Sequence, residues 1–214
     1  MKSLTSMHRT FTSAAAVAIA LSASASHATD IKFEAGLSTM GLYAAPSFGI
    51  TDNTRIRTPL YLGRVSRDVT AEGNTLDATI NSFSAAVMAD YYLGTSGLRV
   101  SGGLSLGGYR LNGSVNNPTL DGITYDGSFT ADIRQRRNVA PVLALGYSQT
   151  IGENFGLMFE VGGRLTSMRL TTTGQESLSA ADRATFDDSI ADINRDLRDF
   201  PVVPFLSLGF TYRF

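Results

Sequence analysis

The sequence predicts an all-β protein: an eight-stranded antiparallel transmembrane β-barrel with one amphipathic helix in its last extracellular loop. Three observations predict it. Large apolar residues alternate with small or polar ones at period two in eight segments, as in a wall with lipid on one side and a lumen on the other. The links between these segments are short on one rim and mostly long on the other. The chain ends in the strand-like "FLSLGFTYRF" (205–214), with Phe214 as its last residue. No uncharged apolar run after residue 28 is long enough for a spanning helix, so a membrane would be crossed by strands.

Residues 1–28 read as a secretory signal peptide. Lys2 and Arg9 form its basic region, "SAAAVAIALSASA" (13–25) its apolar core, and "SHA" (26–28) places cleavage after Ala28. An anchor helix is the competing reading, but it needs about 20 apolar residues. The barrel then occupies 29–214. Of 18 basic residues Lys2 and Arg9 leave with the signal, so 16 face 19 acidic ones, and nothing basic marks a nucleic-acid partner. The chain has no cysteine, which removes disulfides and thiolate metal sites. Its 21 glycines, 12 Phe and 8 Tyr suit β structure.

The strands follow in order. Residues 31–38 place Ile31, Phe33, Ala35 and Leu37 on one face, with Lys32, Glu34, Gly36 and Ser38 on the other. Residues 41–50 send Leu42, Phe48 and Ile50 out and Tyr43, Ala45 and Ser47 in. Residues 54–65 send Ile56, Leu60 and Leu62 out and Arg55, Arg57 and Tyr61 in. Residues 79–93 send Phe83, Val87 and Tyr91 out, with Ser82, Ser84 and Asp90 in. Residues 98–111 put Leu98, Val100, Leu104 and Leu106 outside, opposite Arg99, Ser101, Ser105 and Tyr109. Residues 138–150 put Val139, Leu143, Leu145 and Tyr147 outside. Residues 155–169 set Phe155, Leu157, Phe159, Val161 and Leu165 against Met158, Glu160 and Arg164. From Val202 onward, Leu206, Leu208, Phe210, Tyr212 and Phe214 form the lipid face of the last strand.

"TDN" (51–53), "GTSG" (94–97) and "GEN" (152–154) are the short turns of one rim. The opposite rim carries long links at about 66–78, 112–137 and 170–201, plus the tight "TM" (39–40). Within the last link, Phe186, Ile190, Ile193 and Leu197 recur at helical spacing over 179–200. Ser179 and Asp182 read as its N-cap pair and Pro201 as its stop. This apolar face is expected to pack over the barrel mouth or against the loops, or else to meet a partner.

Lys32, Glu34, Arg57, Asp90, Arg99, Glu160, Arg164 and Arg213 all fall opposite the large apolar side chains. A basic residue facing lipid near the midplane costs about 2–4 kcal/mol, which is reason enough for that placement. They predict a lumen charge network, with small residues and tyrosine filling the rest. One reading makes it a structural plug; another lets exchange of ion-pair partners open a narrow path for small solutes.

An enzyme is not expected. The two histidines, His8 and His27, lie in the signal segment, so the remaining chain cannot build a Ser–His or Cys–His pair. "GGLSLGG" (102–108) alternates within a strand and is no phosphate loop, and "DGITYDG" (121–127) lacks the spacing of a calcium loop. No metal or cofactor is predicted.

The chain resembles the small eight-stranded outer-membrane barrels of proteobacteria, broadly like the OmpA transmembrane domain and OmpW. The stretches that carry the likeness are "LSTMGLY", "ADYYL", "LRVSGGL", "VAPVLALGY" and the acidic helix running into "FPVVPFLSLGFTYRF". The resemblance implies the cell outer membrane as location, with outer-membrane lipids and lipopolysaccharide around a monomer. It implies that Leu208, Phe210, Tyr212 and Phe214 are the signature read by periplasmic chaperones and the barrel-assembly machinery as transient partners. The charged lumen itself predicts a structural or narrow porin-like role. Two alternatives stay open: a surface interaction or adhesion module using the long loops and the 179–200 helix, and a soluble periplasmic ligand-binding barrel, which would need the inverse arrangement of faces.

Overall fold

The computed structural model describes residues 30–71, 74–120 and 122–214; the signal-peptide reading of 1–28 lies outside them. The described residues form thirteen strands: β1 (Ile31–Ser38), β2 (Gly41–Thr51), β3 (Thr54–Arg57), β4 (Leu60–Ala71), β5 (Asn74–Tyr92), β6 (Leu98–Asn116), β7 (Thr119–Leu120), β8 (Ile123–Thr124), β9 (Ser128–Gln135), β10 (Val139–Ile151), β11 (Phe155–Arg164), β12 (Met168–Thr173) and β13 (Val203–Arg213). One helix, α1 (Ala180–Asp199), interrupts them before the last strand.

The pairings close a ring. β1 pairs β2, β2 pairs β3 and β4, both pair β5, and β5 pairs β6. β6 then pairs β10, β10 pairs β11, β11 pairs β13, and β13 returns to β1 from Lys32↔Arg213 to Ser38↔Ser207. With β3 and β4 counted as one broken wall strand, this is an eight-stranded antiparallel barrel. Closure leaves no open sheet edge around the ring, which is what hydrocarbon requires of strands.

The two faces separate as the alternation predicts. Leu42, Phe83, Leu104, Leu145, Phe159, Leu208 and Phe210 are exposed on the outer surface, while Tyr43, Arg57, Ser84, Asp90, Arg99, Ala144 and Glu160 are buried inside. A barrel dissolved in water needs the reverse distribution. Tyr212 and Phe214 stack edge-to-face at 5.0 Å beside the short-turn rim, the place of an interfacial aromatic girdle.

Two expectations need correction. The strand predicted over 54–65 is broken at Thr58–Pro59, because proline has no N–H for the ladder. Both neighbouring strands still bond the break: Thr58 N donates to Pro46 O at 3.0 Å, and Ala86 N to Pro59 O at 2.9 Å. The links at 66–78 and 112–137 are largely strand rather than loop, and the link at 170–201 begins as strand through Thr173 before the helix that the spacing predicted. β4, β5 and β6 run past the barrel and join β9 and β12 in a sheet above the long-loop rim. On β9 the outward positions are Thr130, Asp132 and Arg134, which carry no apolar alternation to read.

The helix stands where its spacing put it. Ser179 Oγ accepts from Asp182 N at 3.2 Å as the N-cap. Phe186 packs between Tyr125 and Phe129, with ring centroids 5.2 and 5.1 Å away, and Ile190 lies alongside. Asn194 clamps the helix to β12, its Oδ1 accepting from Leu170 N and its Nδ2 donating to Leu170 O, both at 2.9 Å. Ile193 and Leu197 are half-buried on the same side. The face packs against Tyr125 and the strands β9 and β12 above the long-loop rim.

Candidate functional site

The lumen holds the site, and alternation explains who lines it. Each wall strand turns every second side chain inward, so β1 supplies Glu34, β3 Arg57, β5 Asp90, β6 Arg99 and β11 Glu160. All five are at most 3% exposed. Arg57 donates through Nε to Asp90 at 2.8 Å, through Nη2 to Glu160 at 2.5 Å, and through Nη1 to Glu34 at 3.3 Å. Arg99 donates to Glu34 at 2.5 Å and to Glu160 at 2.8 Å, with Asp90 at 3.9 Å. Each guanidinium therefore has all three carboxylates within ion-pair reach.

Such a cluster is stable only if its members satisfy one another, since a lone charge at that depth costs several kcal/mol. Five strands converge on it, so it ties the barrel across its width. Glycine makes room for it: a Cβ at Gly146 would sit 2.6 Å from Arg99 Nε and 2.9 Å from its Cγ. The rest of the lumen is filled by Met40, Tyr43, Tyr61, Met88, Met158 and Phe205, which pack as one cluster. Tyr43 Oη donates to Met158 Sδ at 2.7 Å, and Tyr43 and Tyr61 stack at 5.7 Å. Met40, from the tight turn between β1 and β2, is 1% exposed and reaches into this cluster.

Of the eight predicted network residues, five meet in the cluster and three do not. Arg164 is inside but, among the described residues, pairs with no carboxylate; it donates to Ser84 Oγ, to Gln135 Oε1 at 3.2 Å and to Gly107 O at 3.3 Å. The strand spacing that set Glu160 and Arg164 on one face did not make them partners. On β5 the Asp90 of the cluster and the Ser84 of the Arg164 group are separated by Met88 and Ala86, both buried. Lys32 lies at the short-turn mouth with Nζ 5.6 Å from the Tyr92 ring centroid. Arg213 is half-exposed there, 3.7 Å from Asp30. Arg55, read as inward-facing but left out of the predicted network, also bonds Asp30.

Gln135 and Ser84 were missed as partners because a neutral side chain carries no charge signal. Gln135 replaces a break in the wall: its Oε1 lies 3.4 Å from Tyr109 N, and its side chain covers Gly108. Leu208, Phe210, Tyr212 and Phe214 are exposed in a line on the outer surface of the closing strand. Among the described residues no group of His, Cys, Asp or Glu is arranged to hold a metal ion.

No protein-family model and no curated protein sequence matches the chain. Solved structures do. The crystal structure of Acinetobacter baumannii CarO is 15% identical over 86% of this chain and 97% of that one, with a TM-score of 0.62. That of Acinetobacter baumannii CarO2 is 15% identical over 86% and 98%, with a TM-score of 0.63. The likeness is one of fold, and it reaches the β-barrel without reaching the narrower OmpA- and OmpW-like grouping.

Proposed function

We propose that the chain is an integral outer-membrane barrel with a porin-like role whose resting lumen is closed by its charge cluster. The observation that carries this reading is the partner redundancy of Arg57 and Arg99. Each reaches Glu34, Asp90 and Glu160 within 4.0 Å, so either can change partners without leaving a charge alone. A plug of that kind can rearrange at little electrostatic cost, whereas an apolar one would have to dissolve. The belt of exposed apolar residues and the aromatic rim around Tyr212 and Phe214 support the membrane, and the CarO-like fold is consistent with the outer one.

The test is conductance in planar bilayers with wild type and Glu160→Gln. Wild type gives small, brief openings, and the variant changes their frequency or size because both guanidiniums lose a shared negative charge. Large steady pores that pass sugars freely would sink the closed-lumen reading. Cell fractionation with a heat-modifiability gel shift checks the location independently.

A further inference from the structure

One row of the sheet places four arginines side by side on the outer surface. Arg64 on β4 pairs Asn81 on β5, Asn81 pairs Arg110 on β6, Arg110 pairs Arg134 on β9, and Arg134 pairs Arg169 on β12. Cross-strand partners share a face with Cβ atoms about 5 Å apart, and like charges directly opposite are destabilising there. All four arginines are exposed. Asp132 takes Arg110, accepting from its Nη2 at 2.5 Å and its Nε at 2.8 Å. Among the described residues Arg64, Arg134 and Arg169 have no carboxylate partner.

The height of the row is set by its neighbours. Two residues nearer the barrel on the same face stand Leu62 and Phe83, and below them Leu106 and Val139, all exposed and apolar. Two residues of strand are about 7 Å, so the arginines begin where the apolar belt ends. Beside the Arg110–Arg134 pair, where β9 gives way to β10, lies a pocket of about 200 Å³ lined also by Gln135 and Asn138. Gln135 is buried, and its Nε2 has no acceptor in the protein.

We propose that this row and pocket bind the phosphate groups of an outer-leaflet glycolipid, the lipopolysaccharide of the outer membrane. The inference rests on the outer-membrane reading above. Guanidiniums recognise phosphate by paired, charge-assisted hydrogen bonds, and a row of them suits a headgroup carrying more than one phosphate. The occupant is a lipid because the site continues into the belt: with phosphates at Arg110 and Arg134, acyl chains run down over Phe83, Leu106 and Val139. The bound anion also neutralises Arg134 and Arg169, because Asp132 is committed to Arg110.

The experiment uses the full-length barrel in detergent micelles, with native mass spectrometry to count bound lipopolysaccharide. Wild type is compared with R110Q/R134Q/R169Q, each offered lipopolysaccharide with and without its lipid A phosphates. Wild type is expected to retain the phosphorylated form at least about tenfold better than the variant does. The dephosphorylated form binds both proteins equally weakly, and millimolar inorganic phosphate does not displace the lipid. Equal retention by wild type and variant, or indifference to the lipid A phosphates, overturns the proposal; so does displacement by inorganic phosphate, which would assign the site to a free anion. A gel shift and membrane fractionation on the same samples separate this failure from that of the barrel reading, since an assembled outer-membrane barrel without lipid preference refutes only the site.

Discussion

Arg57 and Arg99 lie among three carboxylates, whereas Arg164, two inward positions further along β11 than Glu160, meets a hydroxyl, an amide oxygen and a backbone carbonyl. All three arginines are at most 1% exposed, so depth does not distinguish them. What differs is the balance of charge. In the cluster each member depends on the others, and removal of one guanidinium strands carboxylates in a place water does not reach. Around Arg164 no opposite charge would be stranded, and its aliphatic stem contributes packing that an apolar side chain can replace. The contrast teaches that a buried charge in this lumen is structural only where a counter-charge depends on it.

The largest expected effect is Arg57→Met, which leaves Arg99 alone against three carboxylates. It should cost about 3–5 kcal/mol, read as a drop in the denaturant midpoint of the compact gel band. An unchanged midpoint would mean the cluster's members do not depend on one another. Phe205→Ala comes next, at about 3 kcal/mol, because the ring fills the lumen over Gly162. The same variant thins the apolar packing between the two polar groups, so bilayer conductance should rise along with the loss of stability; a stability loss with silent bilayers would place the barrier in the charges alone.

Asp90→Asn is milder. Among the described residues Asp90 accepts hydrogen bonds only from Arg57, at 2.8 and 3.2 Å, and Glu34 and Glu160 still neutralise both guanidiniums. A loss of about 1 kcal/mol in the same denaturation assay is expected, and a loss as large as that of Arg57→Met would show that all three carboxylates are indispensable. Arg164→Met should change stability least, within about 1 kcal/mol in either direction, since it removes a desolvated charge along with its hydrogen bonds. A collapse of the barrel in that variant would erase the distinction between the two halves of the lumen.

Much of this was legible from alternation alone. Glu34, Arg57, Asp90, Arg99, Glu160 and Arg164 were placed inside because strand side chains point to opposite faces in turn, a property of the backbone that needs no tertiary information. The helix from Ala180 to Asp199 was legible for the corresponding reason at period 3.6, with Ser179 as its cap. The sheet above the rim was not, because β9 and β12 stand clear of the apolar belt and pair there with polar or mixed faces. Nor was the arginine row: Arg64, Arg110, Arg134 and Arg169 are scattered over more than a hundred positions of chain, and only register aligns them.

By itself, then, the sequence determined the strand type, the inward or outward sense of each side chain and the polarity of the two faces. Those follow from local geometry and from what lipid excludes. Tertiary structure alone decided that Arg57 would meet Glu160, 103 residues away, while Arg164, four residues from Glu160, would not. Strands in a closed barrel are tilted and staggered, so residues at the same depth come from different walls, and neighbours on one wall lie at different depths. Partnership across the lumen is a property of closure, and no single strand contains it.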